Sequence, residues 1–378
     1  MPRSPFADPT PGLRIQEGAP AVTRPTKEQI AAYPQDAADL LERVWTDQKP
    51  KIDNGEYDLT WMDGKHLVLI GATGRGIGGA IAIAGLNNLD RLGSLTVVGR
   101  DMKRSMEFES GVAMEAGATE HAGKFTWLND GIAVEGEGFD KLLDILKAKG
   151  ADRVIYVNGS AAASSGTLPD MPPVYVKDVD PNGLYQWQLT PLPERNIETT
   201  KLIMGELAVR FANALEEAGV GIECAAFCDW RGSLDRDSRN PESPTYGRWG
   251  SYSTSLFLPK DIIQQATAEA YAQRKPWIDV FFPTMRTRAL PFIPGGVMMS
   301  YLFEKLMVEG GVRRLDVPEL GLTMLHQIGA KISGRDDNPF PRWDRHEEPL
   351  DLWLFEVMAN LTDDESSDFY YKKWVDIS

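Results

Sequence analysis

The segment Tyr246–Lys260, YGRWGSYSTSLFLPK, combines two tyrosines and several hydroxyl side chains with a lysine that follows a proline. A tyrosine hydroxyl can donate a proton or a hydrogen bond to an oxygen on which negative charge develops, and a nearby lysine cation lowers the pKa of that tyrosine. Tyr252 and Lys260 are separated by seven residues, and Tyr246 lies further upstream. The segment therefore predicts either a tyrosine–lysine pair that moves a proton or an ordinary loop that leads into a helix.

Such a pair needs a hydride donor beside it, and residues 67–82, LVLIGATGRGIGGAIA, have the pattern of a dinucleotide-binding turn. Gly71, Gly74, Gly76 and Gly78 stand between an apolar strand and an alanine-rich helix. Glycines at this place let the backbone approach a pyrophosphate, while the start of the helix supplies N–H donors and a positive dipole. The alternative interpretation is a glycine-rich turn without a ligand.

Polar residues at the ends of the next strands predict where the rest of the dinucleotide would bind. After the second strand the sequence reads VVGRD, where Arg100 could bind a 2′-phosphate and so favour NADP(H). Asp101 could instead bind a plain ribose, which leaves NAD(H) possible. Asp130 follows the third strand and Asn158–Gly159 the fourth, where this fold places the adenine and the nicotinamide ribose. These residues could also be polar loop starts without a ligand.

The elements that must position these residues alternate between strands and helices. Short apolar runs predict strands at LVLIG, SLTVVGR, KFTWLND, ADRVIYVNGSA, GIECAAFC and WIDVFFPTM. PERNIETTKLIMGELAVRFANALEEAGV predicts one long helix, and PKDIIQQATAEAYAQRK a helix with Pro259 in its first turn. Because strands alternate with helices at this spacing, we expect an α/β fold, a Rossmann-type doubly wound parallel sheet with helices on both faces and extra insertions.

We expect three regions along the chain. Residues 1–60 form an N-terminal arm and a helix that packs on the core. Residues 61–330 form a Rossmann-type catalytic domain with an excursion at about 160–195, which is rich in proline and aspartate. Residues 331–378 form a C-terminal extension that packs on the same domain.

Composition excludes several other functions. The formal charge of −15 argues against nucleic acid or an anionic membrane surface as the main partner. No apolar run approaches the roughly 20 residues of a membrane helix, and a cytoplasmic location is expected. Cys224 and Cys228 lie on one face of a predicted strand as small core residues, and four scattered histidines give no metal-ligand spacing.

Several blocks together resemble the trans-2-enoyl-thioester reductases of the FabV type, enlarged relatives of the short-chain dehydrogenases. The glycine turn, the block IETTKLIMGELAVRFANALEEAGV and the tail SSDFYYKKWVDI are similar to that family, and TRALPFIPGGVMMSYLFEKLMVEGG, Thr287–Gly311, matches it without gaps. The resemblance implies reduction of a conjugated C=C in a thioester of coenzyme A or acyl carrier protein. The family pairs tyrosine and lysine at Tyr-x8-Lys, which favours Tyr252 over Tyr246 as the partner of Lys260.

The resemblance also implies the remaining site residues. The implied cofactor-binding residues are Gly71, Ala72, Thr73, Gly74, Arg75, Gly76, Ile77, Gly99, Arg100, Asp130, Gly131, Asn158, Gly159, Lys260, Met285, Arg286 and Thr287. Asp229 or Trp230 stands where the family has a tyrosine that contacts substrate. The glycine turn carries one extra residue, and Gly99–Arg100 replaces the family's acidic ribose-binding position, which indicates a divergent member.

Two other functions remain open at this point. A carbonyl reductase or ketoreductase of the short-chain dehydrogenase type would use the same tyrosine to protonate an alkoxide. A catalytically silent NAD(P)-binding protein would keep the glycine turn without turnover.

Overall fold

The computed structural model describes residues 55–72, 76–99, 114, 121, 123–128, 135–160, 174–180, 183–189, 194–230, 250–282 and 317–341. For 174–180, 183–189, 194–197, 230, 250–257 and 318 the description covers the backbone alone.

Eight strands lie within these residues. They are β1 His66–Ile70, β2 Ser94–Val98, β3 Phe125–Leu128, β4 Arg153–Asn158, β5 Val174–Asp180, β6 Gly183–Leu189, β7 Gly221–Trp230 and β8 Trp277–Phe282. Six of them pair in parallel in the order β3-β2-β1-β4-β7-β8. This is the strand order of a Rossmann fold, and the order reverses between β1 and β4, where such sheets bind dinucleotides. The α/β fold predicted from the alternating pattern is confirmed.

The helices of the described ranges connect these strands. They are α1 Ile77–Asn87, α2 Glu137–Ala148, α3 Glu194–Lys201, α4 Leu207–Glu217, α5 Gly250–Ala272 and α6 Val317–Ile332, with a 3-10 helix at Thr60–Met62. The predicted long helix is interrupted between α3 and α4 by a π-helical segment, Leu202–Glu206. Such segments are often found at functional sites.

The prediction that Pro259 lies in the first turn of its helix is wrong. α5 begins at Gly250, so Pro259 lies inside it, and Tyr252 and Lys260 belong to one helix. An interior proline removes one helical hydrogen bond and disfavours the helix locally. Here Pro259 is buried, and its backbone packs against Gly205 of the π-helical segment. Tertiary packing therefore carries the helix past a residue that would stop it in isolation.

Helices cover both faces of the sheet. On one face α1 and α6 pack over Leu69, Val157, Ala226 and Val280. On the other face α2, α4 and α5 pack over a second cluster that includes Tyr156 and Phe227. Strands β2 and β8 are buried along their whole length, as expected for parallel strands covered on both sides.

Strands β5 and β6 form an antiparallel hairpin outside the main sheet. They fall within the region 160–195 that the sequence predicts to be an excursion. Among the helices of the described ranges, none is both long and apolar enough to cross a membrane.

Candidate active site

The end of β1 meets the end of β4 and the start of α1 in a very close backbone contact. Gly71 has a φ of 86°, and a Cβ atom there would collide with the backbone of Ser160. A Cβ on Gly78 would lie 2.6 Å from the carbonyl oxygen of Gly71, and one on Gly159 would lie 2.8 Å from Cα of Gly78. Only glycine fits these three positions, because backbone atoms cannot move aside as a side chain can.

The start of α1 at Gly76 has room in the part of the chain that the structure describes. A Cβ atom added to Gly76, which precedes the helix, would meet no described atom within 4 Å, and no described side chain caps the helix there. The first N–H groups of a helix lack intrahelical acceptors, and the helix dipole favours negative charge at this end. The turn therefore has the room, the donors and the close backbone approach that a pyrophosphate requires.

Asn158, at the end of β4, organises the strand end beside this turn. Its side-chain amide donates a hydrogen bond to the Tyr156 hydroxyl at 2.9 Å. Its carbonyl oxygen accepts hydrogen bonds from the backbone N–H and the hydroxyl of Ser160, at 3.1 and 2.7 Å. The Tyr156 hydroxyl in turn donates to the Ala208 carbonyl oxygen at 3.0 Å. Burial raises the pKa of Tyr156 strongly, so this tyrosine remains protonated and serves to support the strand end.

Lys260 lies over the carboxyl end of β7, on the face covered by α4 and α5. Its ammonium forms an ion pair with the carboxylate of Asp229, and the two side chains are only 9% and 0% exposed. Gln264, one turn further along α5, donates a weaker hydrogen bond to the second oxygen of Asp229 at 3.4 Å. Lys260 is therefore held at a defined place by a buried counter-ion.

A second carboxylate, Asp279 of β8, lies on the same face of the sheet. Asp279 pairs in register with Phe227, two residues before Asp229 on the neighbouring strand. Burial lowers the pKa of Lys260, and the charge of Asp279 opposes that shift. Burial also raises the pKa of Asp279, and the charge of Lys260 opposes that shift in turn. The motifs did not identify Asp279, although an aspartate within the apolar strand WIDVFF was a signal that could have found it.

The glycine turn and Lys260 lie at the same edge of the sheet. Ile70 pairs in register with Asn158, and Asn158 pairs with Phe227. The end of β1 and the end of β7 are therefore two strand spacings apart, about 10 Å. Since parallel strands all end at one edge, the fold brings together the turn near residue 71 and Lys260, which are far apart in sequence.

The structure describes some of the predicted site residues fully, some only by their backbone, and others not at all. Gly71, Ala72, Gly76, Ile77, Gly99, Asn158, Gly159, Asp229 and Lys260 lie at the carboxyl edge described above. For Tyr252 and Trp230 the backbone is placed, in α5 and at the last residue of β7. Thr73, Gly74, Arg75, Arg100, Asp130, Gly131, Tyr246, Met285, Arg286 and Thr287 lie outside the described residues.

Solved structures of trans-2-enoyl-CoA reductases are similar to this chain. The Clostridium acetobutulicum trans-2-enoyl-CoA reductase in complex with NADH is 15% identical, with a TM-score of 0.60 over 88% of this chain and 87% of that one. The Treponema denticola trans-2-enoyl-CoA reductase in complex with NAD is 14% identical, with a TM-score of 0.60 over 94% and 90%. No family model and no curated protein sequence matches the chain. The chain therefore has the fold of the trans-2-enoyl-CoA reductases, as its motifs led us to expect.

Proposed function

We propose that this chain is an NAD(P)H-dependent reductase of a conjugated C=C in a trans-2-enoyl thioester of coenzyme A or acyl carrier protein. The observation that carries the proposal is the buried, ion-paired Lys260 at the same sheet edge as the glycine turn of Gly71, Gly78 and Gly159. Burying an ammonium costs several kcal/mol even when it is paired, so a purely structural role explains Lys260 poorly. The similarity in fold to trans-2-enoyl-CoA reductases supports the substrate class.

In this proposal the cofactor pyrophosphate would lie against the N-terminus of α1, next to Gly76, where an added Cβ meets no described atom within 4 Å. Gly99 and Arg100 follow β2 and would bind the adenosine ribose, with Arg100 favouring NADP(H). Asn158 and Gly159 would border the nicotinamide half, and Asp130, Gly131 and Met285–Thr287 would complete the binding site. Bound there, the nicotinamide would supply a hydride to the β-carbon of the enoyl thioester.

The residues of the chain would then stabilise the charge that this reduction creates. Tyr252, or Tyr246 in its place, would donate a hydrogen bond or a proton to the developing enolate oxygen. Lys260 would lower the pKa of that tyrosine and hold the nicotinamide ribose, because its ammonium is positive and fixed in place by Asp229. Trp230 follows Asp229 at the end of β7, where it would line the substrate side.

The test is a steady-state assay of NADPH and NADH oxidation with crotonyl-CoA and acetoacetyl-CoA as acceptors. We expect turnover of crotonyl-CoA that is abolished in a Lys260→Met variant, which also controls for contaminating reductases. Preferred turnover of acetoacetyl-CoA would assign a ketoreductase instead. Binding of the nucleotide without turnover of either acceptor would contradict a reductase of thioesters.

A further inference from the structure

Among the described residues, the surroundings of Lys260 contain more negative than positive charge. Asp229 contacts the lysine directly, and Asp279 interacts with it electrostatically from the next strand. Asp229, Lys260 and Asp279 are all buried, with 2%, 7% and 0% of their surfaces exposed. If all three were ionised, one net negative charge would be enclosed between α5 and the sheet.

Asp279 is the carboxylate of this group that accepts no hydrogen bond from any described residue. Both of its oxygens are buried, and within the described part of the chain neither accepts a hydrogen bond. An isolated carboxylate in such surroundings is strongly disfavoured, and a buried carboxyl group normally takes up a proton instead. Asp229 differs, because it has Lys260 in contact and Gln264 within hydrogen-bonding distance.

We propose that Asp229, Lys260 and Asp279 form a neutral triad in which Lys260 is an ammonium, Asp229 is its ionised counter-ion and Asp279 is protonated. The two carboxyl groups and one ammonium then carry no net charge at neutral pH. Asp229 and Asp279 are in this view positioning residues that act through Lys260. The inference rests on the proposed function only where it concerns the position of Lys260 during the reaction. The charge state of the triad itself does not depend on turnover.

The groups that face Asp279 agree with this distribution of charge. Among the described residues these are Lys260 from α5 and Asp229 from β7, while β8 contributes no other ionisable side chain. The thiol of Cys228 lies on the opposite face of β7 and interacts with Asp279 only electrostatically. Burial and the charge of Asp279 raise the pKa of Cys228, so the thiol remains neutral and supplies no further charge. Burial raises the pKa of Asp279 in the same way.

The triad defines what each single substitution does to the charges that remain. Asp279→Asn leaves a complete Asp229–Lys260 pair, so the ammonium keeps its place. Asp229→Asn leaves Lys260 with Asp279 as the one remaining carboxyl group of the triad, so Asp279 gives up its proton and becomes the counter-ion. Because Asp279 lies two residues deeper along the sheet, the ammonium is then drawn away from the edge where the cofactor would lie.

The experiment is infrared spectroscopy of the C=O stretch of protonated carboxyl groups at neutral pH, with carboxyl-labelled aspartate to identify the residue type. We expect one buried aspartic acid band in the wild type and none in either Asp279→Asn or Asp229→Asn. Thr267→Val is the matched control, since Thr267 is a buried residue of α5 whose hydroxyl has no described partner. This control should keep the band.

Three outcomes would overturn the triad. A wild-type protein without a protonated aspartate band, or with two such bands, would contradict the assigned charges even if a variant failed to fold. A band that persists in a folded Asp229→Asn variant would show that Asp279 does not replace Asp229. Turnover of crotonyl-CoA is measured separately. The infrared result can therefore support the triad even if the proposed reaction is not found, and the reaction can be found even if the triad is contradicted.

Discussion

Gly205 of the π-helical segment lies directly against the backbone of Pro259 in α5. A Cβ atom on Gly205 would be 2.7 Å from the carbonyl oxygen and 2.8 Å from Cα of Pro259. Lys260 is the next residue, about 100° further around the helix, on the side that faces the sheet. The crossing of these two helices therefore determines how deep Lys260 sits above Asp229.

Gly205→Ala should disturb that crossing. Alanine favours a helix over glycine by about 1 kcal/mol, but the new methyl group would press on backbone atoms that cannot rotate away, at a cost of about 1–3 kcal/mol. We expect a lower free energy of unfolding in urea and, under the proposed function, a lower kcat. Gly123→Ala is the control, because no atom of the described residues lies within 4 Å of a Cβ there. Equal stability of the two variants would show that α5 can shift freely.

Asp279 should make stability depend on pH. The pKa of Asp279 in the folded chain is raised above the ordinary 3.8 of the unfolded chain. At a pH between the unfolded-state pKa and the folded-state pKa, the folded state therefore binds more protons than the unfolded state. Stability then falls as pH rises through this window, and Asp279→Asn removes that slope. From about pH 4.5 to about pH 7.5 we expect the wild type to lose about 2 kcal/mol relative to the variant in urea unfolding. Identical pH dependence of both proteins would contradict a raised pKa.

Tyr252 and Tyr246 can be separated by single substitutions. Tyr252 lies eight positions before Lys260 in α5, a separation of about 12 Å along the axis and roughly 80° around it in a regular helix. Tyr252→Phe should lower kcat by about 100-fold or more while leaving NADPH affinity unchanged, because only the proton donor is lost. Tyr246→Phe should have little effect. The reverse result would transfer the role to Tyr246, and two active variants would remove it from both.

Arg100 should decide between the two nicotinamide cofactors. A charged hydrogen bond to a 2′-phosphate contributes about 1.5–3 kcal/mol, so Arg100→Ala should weaken NADPH binding about 10- to 100-fold. The affinity for NADH should stay the same, because NADH has no phosphate at this position. Titration of nucleotide fluorescence with each cofactor measures both values. An equal loss for the two cofactors would mean that Arg100 does not contact the 2′-phosphate.

The sheet and the glycine turn could be predicted because their causes are local. Apolar runs of five or six residues, such as His66–Ile70 and Arg153–Asn158, alternate with helical periodicity, and parallel strands connected in this way permit few topologies. The glycine at position 71 is required by a positive φ and by close contact at a turn that this topology implies. The start of α5 could not be predicted in the same way, because Pro259 is a local stop signal that contacts with Gly205 outweigh.

By itself the sequence determined the fold class and the position of the glycine turn, and it predicted Lys260 as a candidate site residue. Only the tertiary structure revealed that Asp229 forms an ion pair with Lys260 and that Asp279 lies two residues deeper along the neighbouring strand. These two aspartates lie 50 residues apart in the chain and share one face of the sheet beside Lys260 only because β7 and β8 are neighbours. The charge of a buried lysine depends on which carboxylates surround it, and spacing along the chain carries no information about neighbours across a sheet.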